Sequence, residues 1–198
     1  MILMTAQIGD QYKFKNSEYT IVARSAAMDF HPSEYGIMPE AACTACWSGF
    51  WCVYNVTDDG VFLEDLYVNS KDDYYPPIEG VLPEQQNGNE TFTYMGHHRY
   101  AGLNIRIPYT GKILVGDKFI HEYYIHMGYQ RPWAYKKLIE LVFEEGKLIE
   151  TNDQSHIAAK LRKKMRSEDS ITGKLFKRRF GIIQADEIID GGNDIWWL

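Results

Sequence analysis

Hydrophobic and polar positions alternate along most of this chain with the period of a β-strand. In residues 50–56, Phe50, Cys52, Tyr54 and Val56 point one way, and Trp51, Val53 and Asn55 the other. Thr57-Asp58-Asp59-Gly60 then reads as a tight turn into a return strand over residues 61–68. Along that strand Phe62, Glu64 and Leu66 share one face, and Val61, Leu63, Asp65 and Tyr67 the other. Neither face is cleanly apolar, so both are expected to be partly covered. A second hairpin has the same form: a strand over 136–143, the turn Glu144-Glu145-Gly146, and a strand over 147–150. Trp47 precedes Gly60 by the same interval that separates Trp133 from Gly146, an offset of 86 residues between the two units. The match implies two related β halves.

Further strands are expected over 12–14 and 19–24, around the turn Lys15-Asn16-Ser17-Glu18, and over 91–95 and 103–107. Others are expected over 112–115, 118–127 and 134–143, with Gly116-Asp117 as a two-residue hairpin turn. Residues 28–39 carry two prolines and a glycine and read as a loop of the kind that lines sites. Residues 69–77 and 83–90 read as surface loops, the first closed to a central strand by Pro76-Pro77. After residue 150 the period changes. Ile157, Leu161 and Met165 recur every four residues with basic side chains between them, and Asn152 or Asp153 precedes them as a cap. This predicts one amphipathic helix over 154–167. The fold expected is mainly β (α+β): an antiparallel β-sandwich or open barrel from two related halves, with one C-terminal amphipathic helix. Residues 1–198 form a single domain in this reading, with a core over 47–150, a basic helical appendage over 154–179 and an acidic tail over 180–198.

Charge sharpens the picture. The formal net charge of −6 is unevenly spread: residues 1–153 carry 12 basic and 21 acidic side chains, 154–179 carry 9 and 2, and 180–198 carry none and 4. An acidic body attracts basic partners and disfavours nucleic acid. The basic segment could contact phosphates, but an amphipathic helix that covers the acidic sheet with its own Lys and Arg is the preferred reading. No run approaches eighteen apolar residues, so no membrane helix is expected, and the first residues do not read as a signal peptide. Cys43, Cys46 and Cys52 are an odd number bunched within ten positions, which suits a reducing compartment such as the cytoplasm. Cys43-Thr44-Ala45-Cys46 lacks the second pair a zinc site wants, so buried structural cysteines are preferred there.

No cofactor or metal is expected. His97-His98 lies in a Gly-flanked loop, and His121 and His126 would fall on opposite faces of a strand. A small-ligand or hydrolytic β-barrel using these histidines is the alternative. No P-loop, dinucleotide glycine pattern or GxSxG elbow is present. Tyr129-Gln130-Arg131-Pro132-Trp133 joins a cation to two aromatics and serves equally as recognition loop or structural corner.

Four strings carry a resemblance: Trp47-x-Gly49-Phe50; Asp59-Gly60-x-Phe62-Leu63-x-Asp65-Leu66; Pro77-Ile78-x-Gly80-Val81; and Pro108-Tyr109-Thr110-Gly111 through Glu122-Tyr123-Tyr124-Ile125-His126-Met127-Gly128. Over residues 47–150 the chain resembles small bacterial proteins that look like immunity proteins of polymorphic toxin systems, including contact-dependent inhibition. These motifs mark strands and turns, so they speak to fold more than to function. The resemblance implies a cytoplasmic inhibitor that acts by binding a cognate toxin, not by catalysis, and the toxin expected is a nuclease with a basic surface. The expected contacts are Asp58, Asp59, Asp72, Asp73, Tyr74 and Tyr75 in the acidic turns, with Tyr129, Arg131 and Trp133.

Overall fold

The computed structural model describes residues 6–86, 98–126 and 128–167. The expectations that fall on residues 91–95, on His97 and on the segment beyond 167 lie outside these. The described chain is mainly β with one α-helix, as the periodicity requires. Nine strands appear in sequence order: β1 (Gln11–Phe14), β2 (Ser17–Arg24), β3 (Phe50–Thr57), β4 (Gly60–Val68), β5 (Glu84–Gln85), β6 (His98–Ile107), β7 (Gly111–Phe119), β8 (Tyr135–Glu144) and β9 (Lys147–Asp153). Helix α1 (Ser155–Ser167) follows. The strands form one sheet in the order β5-β6-β4-β3-β1-β2-β7-β8-β9.

That sheet cannot be flat. In its order β6 and β7 are five steps apart, about 24 Å in a planar sheet. Yet only residues 108–110 join them, and four peptide steps reach at most about 14 Å. The sheet therefore curls into an open barrel. Its inner face gathers Tyr12, Phe14, Cys52, Tyr54, Val56, Val61, Leu63, Leu66, Tyr100, Ile107, Ile113, Leu141 and Phe143 into one core. Tyr109, 2% exposed, pins the seam. Its hydroxyl donates to the carbonyl of Lys112 at 3.0 Å, and its own carbonyl accepts the Gly146 N–H at 2.8 Å.

The outer face is covered in two places. Helix α1 lies on β7 and β8, where Leu114, Leu138, Tyr135, Ala134 and Ala158 pack together. Residues near Ile8, Cys43 and Cys46 lie on Trp51, Val53 and Tyr67 of β3 and β4.

Both matched hairpins form, and their turns meet: a side chain on Gly60 would collide with the carbonyl of Gly146. They are not set in equivalent surroundings. Strand β4 is internal, whereas β9 is an edge. Trp47 is 55% exposed in a loop, whereas Trp133 is 8% exposed in a 3-10 turn, Pro132–Ala134. The tryptophan alignment therefore marks two hairpins whose tryptophans and return strands sit in different surroundings. The sheet also departs from wholly antiparallel pairing, since β1 runs parallel to β3.

Three local expectations are corrected. Gly116-Asp117 makes no turn but lies within β7, with Gly116 paired to Thr20 and to Leu138. A Cβ there would come 2.5 Å from the Tyr135 ring, so the glycine makes room for an aromatic face. The strand expected over 118–127 ends at Phe119, and a 3-10 turn, His121–Tyr123, follows. Strict alternation on β4 fails because the register with β3 shifts between Val53 and Tyr54, leaving Glu64 as an extra residue. Val61 and Leu63 face the core before this bulge, and Leu66 and Val68 after it. The shift explains why neither predicted face was cleanly apolar. Asp65, 5% exposed, is satisfied beside the bulge by the Gly102 N–H at 3.0 Å and by Arg99 at 2.8 Å.

Candidate interaction surface

Two loops outside the sheet are built against each other. In the first, residues 28–40, Pro32–Tyr35 form a 3-10 turn. His31 is extended and its Nδ1 accepts the Ser33 N–H at 3.2 Å, while Pro32 supplies the preset φ of a helix start. Gly36, at φ +80°, closes the turn, a conformation that favours glycine. Phe30 and Ile37 are buried and anchor the loop from below. In the second loop, residues 69–82, Asp73 takes a positive φ of 50°. Ile78 and Val81 pair across Glu79-Gly80. Ile78 is fully buried.

Hydrogen bonds join the two. The Lys71 N–H donates to the carbonyl of Met38 at 2.9 Å, and the Glu40 N–H to that of Asn69 at 2.9 Å. The ring of Tyr74 stands over Gly36, 3.9 Å from where a Cβ would lie. The joined loops expose two large apolar side chains, Tyr74 at 58% and Met38 at 54%. The same two loops carry the exposed carboxylates of Glu34, Asp72, Asp73 and Glu79. Residues 28–40 and 69–82 together hold six acidic side chains and one basic, Lys71. The Tyr35 hydroxyl is held above its usual range by burial and then by the charges of Glu79 and Glu34. Exposed apolar and acidic side chains, on a scaffold fixed by backbone bonds, suit recognition of a basic protein surface.

The sequence-predicted contacts are only partly brought together. Asp72, Asp73 and Tyr74 share this surface. Tyr75 belongs to the same loop but faces inward: its hydroxyl accepts the Ser70 N–H at 3.0 Å, and its ring lies 3.6 Å from that of His98. Asp58 and Asp59 are exposed at the opposite end of β4, whose nine residues span roughly 30 Å. The carbonyl of Asp59 lies 3.4 Å from Arg106. Tyr129 is 54% exposed and Arg131 half-buried on the β7–β8 connection, away from that loop pair in the chain. Trp133 is covered by its own chain. Glu34, Met38 and Glu79, exposed on the same two loops, were not singled out in the sequence; for Glu34 and Met38 the signal available was the Pro- and Gly-rich 28–39 loop, which names a region but no residue.

Other chemistry is dispersed. Among the described residues no three His, Cys, Asp or Glu side chains are grouped to hold a metal ion. His98 lies against Tyr75, while His121 and His126 are exposed beside Phe119 and Tyr124. An open groove of about 560 Å³ is lined by Lys13, Lys15, Asn55, Thr57 and Glu64, and no histidine contributes to it. Among the described residues no helix is long and apolar enough to cross a membrane. Comparison with protein-family models, with curated proteins and with solved structures found no match.

Proposed function

We propose that this chain is an inhibitor of the immunity-protein kind, which acts in the cytoplasm by binding a toxin with a basic surface, and that the toxin is a nuclease. The observation that carries the reading is that two loops joined by backbone hydrogen bonds expose Met38 and Tyr74 together with the carboxylates of Glu34, Asp72, Asp73 and Glu79. A nuclease holds phosphates in a basic cleft, and an acidic protein can occupy that cleft in their place. Opposite charge speeds the encounter, and a desolvated aromatic anchor slows dissociation. The chain works in this reading by occupancy and needs no reacting group of its own.

Co-expression with the product of the neighbouring reading frame tests it, with cell survival and affinity as readouts. The expected result is protection by the natural chain and a Kd weakened about thirtyfold by Tyr74→Ala, the size of a hot-spot loss near 2 kcal/mol. Reversal of Asp72 and Asp73 to Lys should slow association, and the effect should shrink in high salt. Tyr129→Ala, outside the loop pair, should leave affinity unchanged. Absence of both protection and binding sinks the proposal, and equal losses from Tyr74→Ala and Tyr129→Ala sink the assignment of this surface.

A further inference from the structure

Residues 40–49 leave the body of the protein and return almost to the point of departure. The Glu40 N–H donates to the carbonyl of Asn69, the Asn69 N–H donates to that of Gly49 at 2.8 Å, and a Cβ on Gly49 would come 2.5 Å from the Glu40 backbone. Compact loops whose ends touch in this way often carry function. Within it Cys43 and Cys46 face each other as an antiparallel pair, with the Cys46 N–H donating to the Cys43 carbonyl at 3.1 Å. Antiparallel partners stand about 4.5–5.5 Å apart at Cα. That lies inside the roughly 4.4–6.8 Å a disulfide spans. Both are free thiols, Cys43 half-buried and Cys46 buried, so Cys43 is the more accessible residue of the two. Cys52 is kept apart. It is fully buried in the inner core, whereas Cys46 packs on Trp51 and Val53 against the outer face of the sheet.

We infer that Cys43 and Cys46 are a redox-active pair that closes reversibly to a disulfide, and that Cys52 takes no part. With a glutathione-type disulfide as oxidant, the Cys43 thiolate attacks one glutathione sulfur. The glutathione S–S bond breaks and one glutathione thiolate leaves. The Cys46 thiolate then attacks the Cys43 sulfur of the mixed disulfide, the new S–S bond forms, and the second glutathione leaves. The two cysteine protons end on the two glutathione thiols, and two electrons pass from protein to oxidant. Burial, chiefly, holds the Cys46 thiol above its ordinary range, so the second step quickens as pH rises.

The pair sits where it can act on its surroundings. The carbonyl of Ala45 accepts the Ile8 N–H at 2.9 Å, that of Thr44 accepts Nε2 of Gln7 at 2.8 Å, and the Trp47 N–H donates to Oε1 of Gln7 at 3.2 Å. Closing the disulfide stiffens the turn that holds residues 7 and 8 and presents the exposed Trp47.

The test equilibrates the full-length protein with reduced and oxidised glutathione over a range of ratios. Samples are acid-quenched, denatured, alkylated, weighed and peptide-mapped. The expected result is a fall from three alkylatable thiols to one, Cys52, with the lost pair mapped to Cys43 and Cys46. Cys46→Ser should stop at a mixed disulfide on Cys43, and Cys52→Ser should leave the exchange unchanged. The natural chain's own map decides the matter even if a variant fails to fold. Three thiols still alkylatable at the most oxidising ratio, or a cross-link that includes Cys52, overturns the inference.

Discussion

Gly116 shows how one position is set by a neighbour that is distant in the chain. Its pairing is that of an ordinary strand residue, and the ring of Tyr135 fills the space where a side chain would be. Gly116→Ala should destabilise the fold by about 1–3 kcal/mol through overpacking. A lowered urea midpoint at unchanged slope would show it. Adding Tyr135→Leu should recover part of the loss, because the two positions share one contact. Sequence reasoning read this glycine as a turn, the usual meaning of a Gly-Asp step, since nothing near it in the chain announces the ring. Tyr74 is the opposite case: its acidic, Pro-bounded loop was legible, and the residue stayed at the surface where such loops belong.

Among the elements, hairpins and helix were the most legible. Strands β1 and β2 turn at Lys15-Asn16, both at positive φ, and the turn was readable because its signal is confined to adjacent residues. Helix α1 forms where the period placed it; of the described positions Leu161 is buried, Ile157 is half-buried, and the buried face also takes in Ala158. Its role as a cover rests on Arg162, whose Nη1 donates to the carbonyls of Trp133 at 2.9 Å and Tyr135 at 2.6 Å. Arg162→Ala should cost about 1–3 kcal/mol by stripping partners from those carbonyls. Amide exchange along α1 should quicken with it. Lys163→Ala, at an exposed position, should stay within about 0.5 kcal/mol. Equal effects of the two substitutions would count against the helix being held by Arg162.

At the scale of the whole molecule, many tyrosines are buried: Tyr12, Tyr54 and Tyr100 inside the curled sheet, and Tyr135 on its outer face beneath α1. Burial pushes the hydroxyls of Tyr100 and Tyr135 up to about 12, and those of Tyr12 and Tyr54 well above their ordinary value. In the unfolded chain they ionise near 10. Above that pH the folded state binds more protons than the unfolded one, so stability falls as pH rises from about 10 toward 12. Tyrosinate absorbance should therefore appear together with loss of the β signal in circular dichroism. Ionisation well before unfolding would contradict the burial. Tyr12→Phe should stabilise the protein at neutral pH by about 1 kcal/mol, since the Tyr12 hydroxyl has no hydrogen-bond partner among the described residues. It should also move the alkaline transition upward.

The amino-acid order by itself determined the strand period, the two hairpins with their acidic turns, the position of α1 and the unequal spread of charge. Each is a short-range property, written in residues a few positions apart. Tertiary structure alone decided the pairing of β1 with β3 and of β2 with β7, the extra residue at Glu64, and the curl that lets three residues join β6 to β7. It also set residues 28–40 against 69–82, which is what places the ring of Tyr74 over Gly36. Those outcomes depend on which of many sheet registers buries the most apolar surface while leaving fewest backbone groups unpaired. That is a property of the whole chain, and no local window contains it.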